Sequence, residues 1–362
     1  MNTQLLNPNE IETAAAIIKS GGLVGIPTET VYGLGANGLN PLAVRSIFQA
    51  KGRPQDNPLI LHIPDASWLE TYCEDIPESA WRLARRFWPG PLTMILRCKE
   101  RSPEELEALK NGPVCSLTHF GSRIIPDVVT AGLDTVGMRC PAHSMCRDII
   151  AAAGVPVAAP SGNTSGRPSP TTAQHMLDDM DGKIDAILDG GDCQVGVEST
   201  IIDLTCQPPR LLRPGGVPLE ELLDLLPDIE LDPAVVRQMA EGEKPRAPGM
   251  KYRHYAPRAP VTVVKGPPVR SAEYILDHLT DSSWEGVICF NEFAHWYPGY
   301  LVEQLGGAVD TWEQARRLFR ALRAMDEAGV KHIWAQCPDD TGMGLAVVNR
   351  LSKASGFHIV DA

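Results

Sequence analysis

Apolar residues in this chain recur in two alternating rhythms. Ile11, Ala14, Ala15 and Ile18 follow Asn7-Pro8-Asn9 at helical spacing, and Gly21-Gly22 closes that segment. Short, nearly continuous apolar runs then occupy residues 23–26, 59–63, 92–96, 135–139, 155–159 and 199–204. Runs of this length between Gly, Pro and polar residues predict buried strands. Helical patterns at 42–50, 142–153 and 171–181 fall between them, so the first two-thirds reads as α/β. Ser102-Pro103-Glu104-Glu105 is a helix-start pattern inside the less regular stretch 100–121.

Residues 244–260 are rich in Pro, Gly and basic side chains and lack periodicity, which predicts a linker. Beyond them the rhythm restarts, with strands at 261–264, 286–290 and 332–335. Helices are predicted at 271–279, 311–327 and 344–354. The 362 residues suffice for two domains. The expected division is a catalytic domain over 1–217, a linker or lid over 218–259, and a smaller Rossmann-like α/β domain over 260–362.

Gly, Ser, Thr and basic residues cluster where predicted strands end, the place where open α/β sheets put ligands. Pro27-Thr28-Glu29-Thr30-Val31-Tyr32-Gly33-Leu34-Gly35 offers hydroxyls and exposed backbone N–H groups, or is a turn with an ordinary cap. Ala50-Lys51-Gly52-Arg53-Pro54 puts two cations around one glycine at a helix end. A turn at Gly52 would make them converge on a phosphate chain, and a solvated basic helix end is the plainer alternative. Pro160-Ser161-Gly162-Asn163-Thr164-Ser165-Gly166-Arg167-Pro168-Ser169 runs from a strand to a helix start, which suits an anion cradle or a long loop. It lacks the Gly-Lys-Ser/Thr ending of a Walker loop. Gly196-Val197-Glu198-Ser199-Thr200 and Leu211-Leu212-Arg213-Pro214-Gly215 bound two further strands.

No metal-ligand spacing and no assignable Ser-His-Asp set is present, so no metal site is expected and positioning with electrostatics is the better chemistry. Nine scattered cysteines without a Cys-x-x-Cys pair fit a reducing cytoplasm. No apolar run nears the ~18 residues of a membrane span, so no membrane partner is expected. A formal charge of -12 counts against a general nucleic-acid coat.

Taken in order, the five pieces resemble the threonylcarbamoyl-AMP synthase family with the YrdC-like fold, in its long form. The family's K-x-R and S-x-N motifs stand here as Lys51-Gly52-Arg53 and Ser161-Gly162-Asn163. The strings P-T-E-T-V-Y-G-L-G, N-P-L-I, W-P-G-P-L-T, S-G-R-P-S-P-T, G-V-E-S-T and L-R-P-G are similar too. The likeness spans residues 8–217, continues through 248–257 and returns at 342–354.

The resemblance implies a twisted sheet with a concave pocket in the first domain. It also implies a reaction: threonine and bicarbonate give a carbamate, which attacks the α-phosphate of ATP and releases pyrophosphate. By position, Thr30, His62, Arg139, Ala159 and Ser199 are expected to hold threonine. Arg53, Asn57, Thr135, Ser161, Asn163, Ser169, Arg213 and Tyr255 are expected on ATP, which carries Mg²⁺ with it. Lys51 and Arg53 are the expected catalytic pair, and the linker is expected to close the pocket through His254 or Tyr255. The family also implies hand-over of the product to a tRNA threonylcarbamoyl transferase complex and leaves room for a weak contact with tRNA. Residues 99–121 are longer than the family pattern, with Cys115 and His119 unassigned, and Gly162 replaces the usual alanine. An RNA-binding module with this fold is the alternative reading. Carbamoyl transfer in hydrogenase maturation is a third, and the zinc-finger cysteines of that larger architecture are missing from the sequence.

Overall fold

Two sheets organise the chain. The computed structural model describes residues 2–110, 121–237, 245–250 and 254–362. The first sheet runs, in spatial order, Gln4–Leu6, Ala186–Leu188, Val24–Ile26, Gly33–Asn37, Val157–Ala158, Ile60–His62, Thr135–Arg139, Leu92–Cys98, Thr200–Asp203, Arg210–Arg213 and Glu230–Leu231. It is mixed: Ile60–His62 pairs parallel with Thr135–Arg139 and antiparallel with Val157–Ala158. The second sheet is all parallel, ordered Leu301–Gly306, Glu285–Phe290, His332–Gln336, Val261–Lys265 and Ile359–Asp361. This is the expected α/β, YrdC-like arrangement with a smaller Rossmann-like partner.

Local chemistry explains the helix ends that matter. Asn40 caps helix Pro41–Lys51 by accepting from the Leu42 and Ala43 N–H groups, and Pro41 supplies the fixed first-turn φ. Gly52 ends that helix in the left-handed region at φ 62°, which favours glycine. Thr172 caps helix Ala173–Met180, and Asp310 caps Thr311–Ala328. Ser102 and Glu105 form a reciprocal capping box at the start of helix Pro103–Lys110, as the sequence pattern predicts. Cys115 and His119 lie outside the described residues.

Some elements differ from the reading of the sequence. Gly33–Asn37 reads as a turn but is a buried strand, because two of its five residues are glycine and hide the alternation. In the expected linker, Leu222, Leu226 and Ile229 join the first core, and Glu230–Leu231 extends the first sheet. Gly162 leaves room that Met176 fills, since a Cβ there would stand 1.9 Å from the Met176 sulfur.

The second core is not confined to the second sheet. Val31, Val195, Val197 and Tyr255 pack into the same cluster as Phe319, Val347 and Leu351. Segments flanking the candidate site are thereby part of the second domain's interior. Among the described residues, no helix is long and apolar enough to cross a membrane.

Candidate active site

The five motif segments are stitched together by backbone hydrogen bonds. The Gly162 N–H donates to Tyr32 O at 2.8 Å and the Leu34 N–H to Pro160 O at 2.8 Å, which lays the first cluster beside the Ser-Gly-Asn loop. The Ser165 N–H donates to Lys51 O at 2.9 Å, which ties that loop to the basic helix end. The Gly196 N–H donates to Thr30 O at 3.1 Å, bringing the Gly-Val-Glu-Ser-Thr segment to the same place.

These contacts surround a cleft whose empty space, open mouth included, is about 720 Å³. Thr30, Lys51, Arg53, His62, Arg139 and Ala159 all line it. So do Ser161, Asn163, Ser199, Arg213 and Tyr255. Gly52 brings Lys51 and Arg53 to one wall by turning the chain left-handed between them. Pro248, Gly249, His254 and Tyr255 of the linker also line the cleft, while residues 251–253 lie outside the described set.

Three expected residues sit elsewhere. Ser169 is fully buried behind the wall, where its hydroxyl donates to Glu198 Oε1 at 2.5 Å. Asn57 is buried at the edge, and its carbonyl accepts from Arg53 Nη2 at 3.2 Å. Thr135 lines an adjoining hollow that shares Ile60 and Pro248 with the main cleft.

The cleft is electropositive, and its charged side chains are largely buried. Arg139 lies 2.7 Å from Glu29 and both are buried. Burial pushes the Glu29 carboxyl up, but Arg139 together with backbone hydrogen bonds at Ala142 and Glu29 brings the group below its ordinary value. Burial pushes the Lys51 ammonium well below its ordinary value, and Arg53 adds to this. Its Nζ donates to the carbonyls of Ser161 and Asn163. Arg213 is pulled down to about 10, mainly by burial. His62 falls to about 3 through burial and the nearby Arg139, so it is neutral. Its Nδ1 and the Asn163 Oδ1 are buried with no hydrogen-bond partner among the described residues. Cations gathered in a low-dielectric pocket favour an anionic ligand.

One carboxylate was not singled out by the sequence reading. Glu198 lines the cleft and accepts from Ser169 and from Arg350 Nε at 2.8 Å. Arg213 holds the neighbouring Ser199 through its carbonyl at 3.0 Å and its Oγ at 3.1 Å. Glu198 stands in the Gly-Val-Glu-Ser-Thr string, but its partner Arg350 is 152 residues away.

The whole chain has close relatives. A family model described as telomere recombination, for Sua5, YciO and YrdC proteins, matches residues 16–111 and 99–215. A second, described as the threonylcarbamoyl-AMP synthase C-terminal domain, matches residues 217–356. The chain is 48% identical to the threonylcarbamoyl-AMP synthase of Pyrococcus abyssi over 351 residues, 97% of this chain and 95% of that protein. It is 43% identical to the Bacillus subtilis synthase over 354 residues, 98% of this chain and 95% of that one. The crystal structure of P. abyssi Sua5 complexed with L-threonine superimposes with a TM-score of 0.87 at 46% identity, covering 99% of this chain and 100% of that one. With its fold, its motif-lined cleft and these likenesses together, the chain belongs to the threonylcarbamoyl-AMP synthase family.

Proposed function

We propose that this protein is an L-threonylcarbamoyladenylate synthase, a nucleotidyltransferase that converts L-threonine, bicarbonate and ATP to threonylcarbamoyl-AMP and pyrophosphate. The observation that carries the proposal is the convergence of Thr30, Lys51, Arg53, Arg139, Ser161 and Arg213 on one cleft from separate strand ends. A triphosphate and a carbamate place several negative charges together, and fixed cations stabilise the charge as the phosphorus is attacked.

In this reading Arg139 takes the threonine carboxylate, with Thr30, His62, Ser199 and the backbone at Ala159 fixing the rest of the amino acid. Arg53, Ser161, Asn163 and Arg213 take the nucleotide, with Asn57 and Thr135 at its margins and Tyr255 above it. Ser169 contributes through Glu198. Lys51 faces the reacting centre, so that the carbamate oxygen and α-phosphorus meet with little reorganisation. Mg²⁺ travels with ATP, held by phosphates and water. Glu198, which lines the cleft, and the buried Glu29 are each engaged by an arginine. The covering segment excludes water from a labile mixed anhydride. The product then passes to a tRNA threonylcarbamoyl transferase in the cytoplasm.

Pyrophosphate release, with threonine and bicarbonate omitted in turn, tests this reading. Release that needs both supports it; ATP turnover indifferent to threonine contradicts it.

A further inference from the structure

Helix Gly344–Ala354 belongs to the second domain, yet one of its faces is turned toward the first domain and the linker. Asn349 Nδ2 donates to Val235 O at 2.7 Å. Arg350 Nε donates to Glu198 Oε2 at 2.8 Å and its Nη1 to Pro214 O at 2.9 Å. Lys353 Nζ donates to Gly249 O. Arg350 has no exposed surface at all.

A fully buried arginine is a costly way to join two domains, because an apolar residue would hold them without desolvating a charge. Its placement suggests a more specific purpose. Below, it grips Glu198, the residue preceding Ser199 in the wall of the cleft. On its other side, its guanidinium lies 5.3 Å from the centre of the Tyr255 ring, which lines the same cleft. Tyr255 needs such an anchor: its φ is 64°, in the left-handed region that non-glycine residues avoid. Its ring is held between Arg350 and Phe319, 5.3 Å away, and both residues come from the second domain.

We infer that Arg350 is a positioning residue of the catalytic cleft, fixing its wall at Glu198 and its cover at Tyr255 together, so that the second domain completes the site. The inference deepens the proposed function and rests on it for the kinetic consequence. The anchoring itself is a matter of structure and is measured separately. Without the guanidinium, Tyr255 relaxes out of the left-handed region and its ring leaves the cleft wall. The substrate-bound state then loses its cover.

Two readouts on the full-length protein test this. The first is hydrogen exchange of peptides spanning residues 245–256 in wild type, Arg350→Ala, Arg350→Lys and Leu351→Ala. Leu351 is a fully buried neighbour in the second core and serves as the control for simple destabilisation. Arg350→Ala is expected to speed exchange of the cover at least tenfold more than it speeds exchange of the second sheet. Arg350→Lys is expected to fall between, and Leu351→Ala to leave the cover protected below its melting temperature. The second readout is threonine-dependent pyrophosphate release, where Arg350→Ala should raise the KM for ATP tenfold or more. Millimolar guanidinium should restore part of that loss, and should restore none of any loss in Leu351→Ala. Unchanged cover exchange in Arg350→Ala overturns the inference whatever the activity. Cover exchange that rises equally in Leu351→Ala overturns it too, by reducing Arg350 to a structural residue. A wild-type protein without threonine-dependent release removes the proposed reaction, and the exchange experiment still decides whether Arg350 anchors the cover.

Discussion

Arg139 Nη2 and Glu29 Oε1 meet at 2.7 Å at the edge of the cleft, although 110 residues separate them in the chain. Each is almost wholly buried, so each compensates the charge of the other. Removing one partner strands the other. Glu29→Ala is expected to cost about 3–5 kcal/mol of stability, as for other broken buried pairs. It also frees the guanidinium to turn, so the KM for threonine should rise. Denaturant melts and initial-rate kinetics check both outcomes.

Lys51 and Arg53 carry charge into the cleft rather than filling the core. Lys51→Ala and Arg53→Ala should each lower kcat/KM by about 10²–10³, the scale of one lost donor to developing charge, while the fold persists. Lys51 has a further signature. Burial holds its ammonium well below the ordinary value, and a bound triphosphate restores the charge. ATP binding should therefore take up a proton wherever the pH lies above the lowered Lys51 value. Calorimetry in two buffers of different ionisation enthalpy would detect it, and Lys51→Met should abolish it.

His62 predicts the direction of acid sensitivity. Its folded value is about 3 against an ordinary 6.5, so the unfolded chain binds the proton first as pH falls. Stability from neutral His62 is complete above pH 6.5 and is lost between 6.5 and 3, at roughly 1.4 kcal/mol per pH unit. His62→Asn should fall less steeply between pH 7 and 5 than wild type. Melting temperatures at the two pH values check the slope.

Gly215 tests the packing behind the wall. A Cβ there would stand 2.2 Å from Glu198 O and 2.5 Å from Thr200 N, both backbone atoms that cannot swing aside. Gly215→Ala should destabilise by about 1–3 kcal/mol or more and displace the Glu198–Ser199 wall that Arg213 holds. A raised KM for ATP together with a lowered melting temperature is the expected pair of changes.

Much of this was legible in the chain because the relevant signals are local. Strand 135–139 and helix 344–354 fall where their periodicity places them. Lys51-Gly52-Arg53 converges because one glycine adopts a left-handed turn, a short-range property of the string itself. What escaped is long-range. Glu198 and Arg350 are ordinary in their own segments and acquire meaning only when the second domain closes on the first. Ser169 lies in a motif yet faces Glu198 rather than the cleft, since a string of letters does not fix which side of a loop a hydroxyl takes. Val31, Val195 and Val197 look like first-domain core and pack into the second.

The most direct test of the shared cleft is a structure of the wild-type protein with L-threonine and a non-hydrolysable ATP analogue. The account predicts the threonine carboxylate on Arg139, the phosphates between Lys51, Arg53 and Arg213, and the amino group facing the α-phosphorus. Threonine and nucleotide bound in separate places, or the phosphates lying away from Lys51 and Arg53, would contradict it.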